Sequence, residues 1–288
     1  MSRFFDRSVR LVVGKPGEPP REFGAVDGTT GAQLRVAFDI KKSKSRTPNQ
    51  CSITIYNLTR DSAAYVCQDK NHVLLYAGYG DDLSLLFSGE IKRSSYESGI
   101  KGPDRITKFK AAAGGQGYRS ARINKSYASS VKMSEIITEL AKSFGVKADL
   151  SKIDDATLSS GFVASGRSAD VMNQLARSLR FDWFFDDDNK LIISSKDKAA
   201  SEQVVSISPK SGLVGYLEIG KKGTINGTSL LNNQIRVKFP IRVDGVENGV
   251  GTYIVQKVGH KGDTGYSKNF YTTFEAKVIV PGEIPGGA

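Results

Sequence analysis

The sequence predicts a mainly β protein with an α+β insert. Three observations carry this expectation. Apolar and polar residues alternate in stretches near both ends of the chain, which is strand spacing. A segment between them switches to helical spacing. The 30 glycines fall mostly between apolar stretches, as in chains built from strands and turns.

Taken in order, SVRLVVG (8–14) reads as a strand and KPGEPPREFG (15–24) as a Pro-rich loop, because proline removes a ladder donor. QLRVAFDIKK (33–42) puts Leu34, Val36, Phe38 and Ile40 on one face, a half-buried strand. KSKSRTPNQ connects it to NQCSITIYNL (49–58), where Ile53 and Ile55 alternate with Thr54 and Tyr56. Thr59 is placed to cap a short helix with Asp61 in its first turn, where a carboxylate suits the helix dipole. HVLLYAGYG (72–80), LSLLFSGEIKRSSYESG (83–99) and DRITKFKAAAGG (104–115) follow as strands joined by tight turns. Together they suggest a compact barrel or sandwich.

The period then changes. Met133, Ile136, Ile137, Leu140, Ala141 and Phe144 lie on one helical face, with Gly145 as a left-handed C-terminal cap. A second helix starts near Ser168, with Asp170 in its first turn and Val171, Met172, Leu175, Ala176 and Leu179 as its apolar face. RFDWFF–DDDNK–LIIS (180–194) reads as a hairpin whose Phe181, Trp183 and Phe185 cover the helices. Beyond it SGLVGYLEIG, NNQIRVKFP, GTYIVQKVGHKG and KNFYTTFEAKVIV are all extended candidates. NQCSITIYNL (49–58) and NQIRVKFPI (233–241) both set Asn-Gln before an alternating run, which suggests a duplicated barrel with an inserted domain. The expected organisation is residues 1–118 and 201–288 as barrels and 119–200 as a small α+β domain of two helices plus a hairpin.

Net charge is +11 and pI about 9.5, which suits a polyanion or an acidic protein neighbour. The densest basic cluster, Lys41, Lys42, Lys44 and Arg46, reads as a solvated loop or protein-contact rim, with a polyanion site as the alternative. A basic barrel that binds nucleic acid is the competing functional class. Cys51 and Cys67 make no disulfide framework and read as small buried hydrophobes in a reduced compartment. The N-terminus lacks a signal-peptide core and no stretch is apolar enough to span a bilayer, so synthesis in a cytoplasm is expected.

Catalytic signatures are missing from the pattern. Asp186, Asp187 and Asp188 sit where a hairpin turn is expected, and aspartates favour turns for backbone reasons. His72 and His260 have no Cys-x-x-Cys or His-Glu-x-x-His around them, so no metal site is expected. Gly78-x-Gly80 and Gly114-Gly115-x-Gly117 lack the Lys-Ser/Thr of a phosphate loop and read as turns. No cofactor and no catalytic residue is assigned, and the expectation is a protein that is not an enzyme.

Three ordered segments resemble the baseplate hub proteins of contractile-tailed bacteriophages. The first holds Ile55-Tyr56-Asn57-Leu58, Gly78-Tyr79 after Ala77, and Phe87-Ser88-Gly89-Glu90-Ile91. The second, SEIITELAKSFGV followed by MNQLARSLRFDWFFDDDNKLII, resembles the family's inserted domain. The third holds Gly251-x-Tyr253-x-Val255 and Val258-x-His260-x-Gly262-Asp263. The resemblance implies two tail-tube-like β-barrels flanking the insert. It also implies a homotrimer whose six barrels form a pseudo-sixfold ring between the sixfold tail tube and a threefold central spike. Implied partners are the tail tube, spike, baseplate wedge and tape-measure proteins, with DNA passing through the lumen without specific binding and no membrane insertion. The implied location is the virion baseplate, after assembly in the host bacterial cytoplasm. The same features fit the hub of a tailocin-like injection system.

Overall fold

The computed structural model describes residues 6–15, 17–25, 32–44, 47–68, 70–196, 198–265 and 269–279. A 14-stranded sheet runs through both ends of the chain, and three smaller sheets belong to the segment between them. Apolar side chains gather in three clusters: one from the N-terminal strands, one from the middle segment, and one from the C-terminal strands.

The two halves of the large sheet repeat one topology. In the N-terminal half the chain forms five strands, Val36–Ser43, Gln50–Tyr56, His72–Tyr79, Asp82–Lys101 and Asp104–Ala112. Their spatial order is first, second, fifth, fourth, third. In the C-terminal half Leu213–Ile219, Thr224–Leu230, Pro240–Val243, Gly251–Asp263 and Phe270–Val278 take the same order. Each half curls on itself through a short lead-in strand paired in parallel. Ala32–Gln33, just ahead of Val36, pairs with Arg21–Ala25, and Leu34 N–H donates to Gly24 O at 3.0 Å. Val205–Ile207, just ahead of Leu213, pairs with Pro240–Val243. Closing part of a sheet this way removes some of the edges that would otherwise template aggregation. The first barrel is larger by two strands, Arg7–Gly14 and Arg21–Ala25.

The duplication is therefore real, but the sequence echo that suggested it is out of register. Gln50–Tyr56 is the second strand of its barrel, and its counterpart is Thr224–Leu230, not residues 233–241. NNQIRVKFP forms turns up to Phe239 and only Pro240 enters a strand. Its Ile235 and Val237 are nonetheless buried in the third cluster, so the alternation reflects an irregular loop packed inward. KPGEPPREFG also needs correcting. Only its proline-bearing part is a loop, and Arg21–Ala25 is an antiparallel partner of Arg7–Gly14. Gly115–Ser120 is a one-turn helix where a turn was expected, entered through left-handed Gly114.

The remaining elements follow local chemistry. The strand Gln50–Tyr56 ends because Asn57 turns left-handed, at φ 59°, a conformation asparagine tolerates. Its side chain accepts from Arg105 N–H at 3.0 Å and donates to Asp104 Oδ1 at 2.9 Å, which holds the bend against the neighbouring strand. Thr59 Oγ1 then accepts from Ser62 N–H and caps the helix Arg60–Val66. In the insert, the helix Met133–Phe144 buries the six residues named from its periodicity. It stops at Gly145, φ 75°, with Val146 N–H donating back to Ala141 O, a Schellman closure. The helix Ser168–Ser178 packs beside it.

The hairpin Phe181–Phe185/Leu191–Ser195 carries apolar side chains on both faces and packs on both. Phe181, Trp183 and Phe185 enter the insert core, where Trp183 stacks on Phe144 with ring centroids 6.1 Å apart and planes 11° apart. Phe184 and Ile192 on the other face pack on the C-terminal barrel. No helix among the described residues is long and apolar enough to cross a membrane.

Candidate assembly site

The two barrels are joined edge to edge. The first strand of the N-terminal barrel pairs antiparallel with the later half of the fourth strand of the C-terminal barrel, from Ala37 opposite Asp263 to Ser43 opposite Lys257. The earlier half of that fourth strand pairs with Pro240–Val243 inside its own barrel. One strand therefore serves two barrels in succession.

Several family-motif residues of the sequence lie in or beside this joint. Asp263 receives both arms of Arg35, Nε to Oδ1 at 2.9 Å and Nη2 to Oδ2 at 2.8 Å, and accepts from Gly265 N–H at 2.8 Å. Burial alone would raise the Asp263 pKa, but the hydrogen bonds from Arg35 and Gly265 outweigh it and hold the carboxyl low. The same guanidinium lies over the Tyr56 ring, 4.2 Å from its centroid. Tyr79 accepts from Leu231 N–H at 3.1 Å and meets the Phe270 ring edge-on at 5.3 Å. His260 is buried opposite Ile40 and its Nδ1 shares a hydrogen bond with Thr272 Oγ1 at 2.9 Å. Desolvation, then the nearby charges of Lys42 and Arg236, hold its pKa well below the usual histidine value, so it is neutral.

The other motif residues shape the barrels themselves. Ile55, Leu58 and Phe87 are core side chains. Gly78 and Gly89 are required by close approach. A Cβ on Gly78 would lie 1.8 Å from Asp82 O, and one on Gly89 would lie 2.6 Å from Ala112 O. Gly262 sits against the Phe38 ring, and Tyr253 donates to Gly249 O at 3.0 Å.

The insert is locked to this joint by buried polar contacts. Lys42 is buried and forms an ion pair with buried Asp187 of the hairpin turn. Arg236 Nε of the C-terminal barrel lies 3.6 Å from the other Asp187 oxygen. Asn49 donates to Phe185 O at 2.6 Å, and buried Lys238 donates to Asp182 Oδ2, Ser195 O and Lys196 O at 3.0, 3.1 and 2.8 Å. Lys42, Asp187 and Arg236 come from all three parts of the chain, so the cluster fixes how they sit together.

These contacts correct the reading of the basic cluster. Lys41 and Lys42 belong to the strand Val36–Ser43, where strand alternation points Lys41 outward and Lys42 inward. Lys41 is exposed, Lys44 is half-buried, and Arg46 lies outside the described residues. Lys42 is an internal counter-ion and is no loop or polyanion contact. DDDNK does form the turn, with Asn189 left-handed at φ 61° and Asp186 Oδ1 accepting from Asp188 and Lys190 N–H. Burial pushes the Asp186 pKa up to about 6, against the Lys190 backbone hydrogen bond. Sequence reasoning missed the pairing of Asp187 because its partner is 145 residues away. Cys51 is buried as expected, whereas Cys67 is half-exposed, and both are free thiols. Among the described residues, no three His, Cys, Asp or Glu side chains converge as metal ligands would.

The fold is similar to that of phage tail proteins. The 43 kDa tail protein of prophage MuSo2 from Shewanella oneidensis superposes with a TM-score of 0.65 over 94% of this chain and 98% of its own, at 9% identity. The tail protein of Neisseria meningitidis MC58 gives 0.66 over 97% and 98%, at 8% identity. A type VI secretion component of E. coli, described as structurally similar to the T4 tail proteins gp27 and gp5, gives 0.58 over 90% and 79%, at 13% identity. No curated protein matches by sequence. The family model for baseplate hub gp41 matches residues 21–276, and the chain belongs to that family.

Proposed function

We propose that this chain is the symmetry adaptor of a contractile tail. It assembles as a homotrimer whose six barrels form a pseudo-sixfold ring. One face of the ring continues the sixfold tail tube and the other seats the threefold central spike. Baseplate wedge and tape-measure proteins complete its surroundings, and DNA passes through the lumen without specific binding. The protein is built into the virion baseplate after assembly in the host bacterial cytoplasm, and it catalyses no reaction.

The observation that carries this reading is the repeated topology. Two barrels of one design, joined edge to edge in a chain of the hub family, can occupy quasi-equivalent places in one ring. An odd number of chains then yields an even number of barrels, which is what matching threefold to sixfold symmetry requires. The test is co-sedimentation of the purified chain with its tail tube protein. Binding at one hub chain for every two tube chains supports the adaptor. Failure to bind the tube, or an equal ratio, removes it.

A further inference from the structure

The joint inside the chain has a missing twin. The first strand of the N-terminal barrel, Val36–Ser43, lends its outer edge to the fourth strand of the C-terminal barrel. Among the described residues the first strand of the C-terminal barrel, Leu213–Ile219, pairs on one side only, with Thr224–Leu230. It is the terminal strand of the 14-stranded sheet. The fourth strand of the N-terminal barrel has the complementary gap. Asp82–Lys101 pairs with His72–Tyr79 as far as Glu90, and among the described residues its later half pairs only with Asp104–Ala112. Each barrel thus carries the half-joint that the other barrel has filled within the chain.

Four of the eight exposed large apolar side chains among the described residues lie on these two edges. Ile100 is 80% exposed, and Val214, Tyr216 and Ile219 are 46%, 95% and 61% exposed. Exposed strand edges of this kind are normally blunted by charge, proline or a covering element unless another chain pairs with them.

From these observations we propose that Leu213–Ile219 of one protomer pairs antiparallel with Tyr96–Lys101 of the next copy. This rests on the ring reading above and supplies its protomer-to-protomer contact. Register follows by carrying the internal joint across the repeat. Ile219 pairs with Ile225 as Ile40 pairs with Cys51, and Ser98 pairs with Thr107 as His260 pairs with Thr272. Since Ile40 faces His260, Ile219 faces Ser98 of the neighbour. By the same mapping Glu218 faces Gly99 and Val214 faces Lys101. The C-terminal barrel's first strand bulges between Val214 and Glu218, at the place that Phe38 holds in the internal joint. By the mapping Ile100 takes the place of Gly262, so the bulge meets an exposed isoleucine where the internal joint has a glycine. The contact is head to tail, because the two edges differ, and such contacts close into rings when the rotation allows.

The test is disulfide trapping in a Cys67→Ser background, which removes the half-exposed native thiol. Ser98→Cys with Ile219→Cys is expected to give covalent oligomers up to a closed trimer under mild oxidant, at least tenfold above either single variant. Ser98→Cys with Val214→Cys, out of register by about 10 Å at about 3.3 Å per residue, is expected to stay at background. All three sites are exposed, so the substitutions leave the barrels folded. A trimer by mass that does not crosslink overturns the edge pairing and leaves the ring reading intact. Crosslinked chains that form dimers or open filaments keep the pairing and overturn the ring. Equal trapping by both cysteine pairs overturns the register.

Discussion

Lys42 and Asp187 offer the sharpest energetic test of the joint. Both side chains are buried, and among the described residues Asp187 is the carboxylate paired with Lys42, with Arg236 at its second oxygen. Asp187→Leu leaves the Lys42 ammonium buried beside the neutral His260 ring and the Arg236 guanidinium. Breaking a buried pair by removing one partner costs about 3–5 kcal/mol, because the desolvation of the survivor is no longer offset. At about 1.4 kcal/mol per tenfold, that lowers the folded population ratio more than a hundredfold. Lys42→Met should cost a similar amount by stranding Asp187. The double variant replaces both charges with apolar groups and should recover about 2 kcal/mol or more of the summed loss, since the two sites are in contact and couple. The assay is denaturant unfolding followed by fluorescence of Trp183, the one tryptophan of the chain, whose strand leads into the Asp187 turn. Single variants costing less than about 1 kcal/mol, or losses that simply add in the double variant, would refute the argument that this pair locks the insert to the barrels.

Three further expectations follow from the same geometry. Because the His260 pKa is depressed in the fold, the unfolded chain takes the proton first, so its contribution is complete above about pH 6.5 and is lost as pH falls, by at most about 1.4 kcal/mol per unit. His260→Gln should remove that part of a melting-temperature series, and an unchanged slope would contradict it. Gly78→Ala should destabilise by about 1–3 kcal/mol or more, because its Cβ would collide with a backbone carbonyl, and a melting curve within error of the native one would contradict that. In the folded protein a thiol reagent should label Cys67 and spare Cys51, whose burial pushes its thiol pKa far up, with both reacting after unfolding.

Much of the fold is legible where local pattern and burial agree. The helix Met133–Phe144 with its Gly145 cap, the Thr59-capped helix and the strand Val36–Ser43 each announce themselves within a dozen residues. Thr224–Leu230, TINGTSL, does not, because it is mostly small and polar and gains its order from pairing with Leu213–Ile219 before it and with Phe270–Val278, distant in sequence. Ile235 and Val237 mislead for the opposite reason. They alternate like a strand but are buried by an irregular loop. The family motifs point to Asp263, Tyr56 and Tyr79, yet the partners that explain them, Arg35 and Leu231, carry no local signal. Asp187 reads as one of three turn aspartates, and only tertiary contact separates it from Asp186 and Asp188.

The central claim is that one chain supplies two quasi-equivalent places in a ring. The most direct measurement is particle imaging of the purified assembly viewed down its axis, without imposed symmetry. The expected result is six barrel densities alternating between two kinds, one bearing two extra strands, with strict threefold symmetry. A ring with any other number of barrels, or one whose like barrels are adjacent, would contradict it.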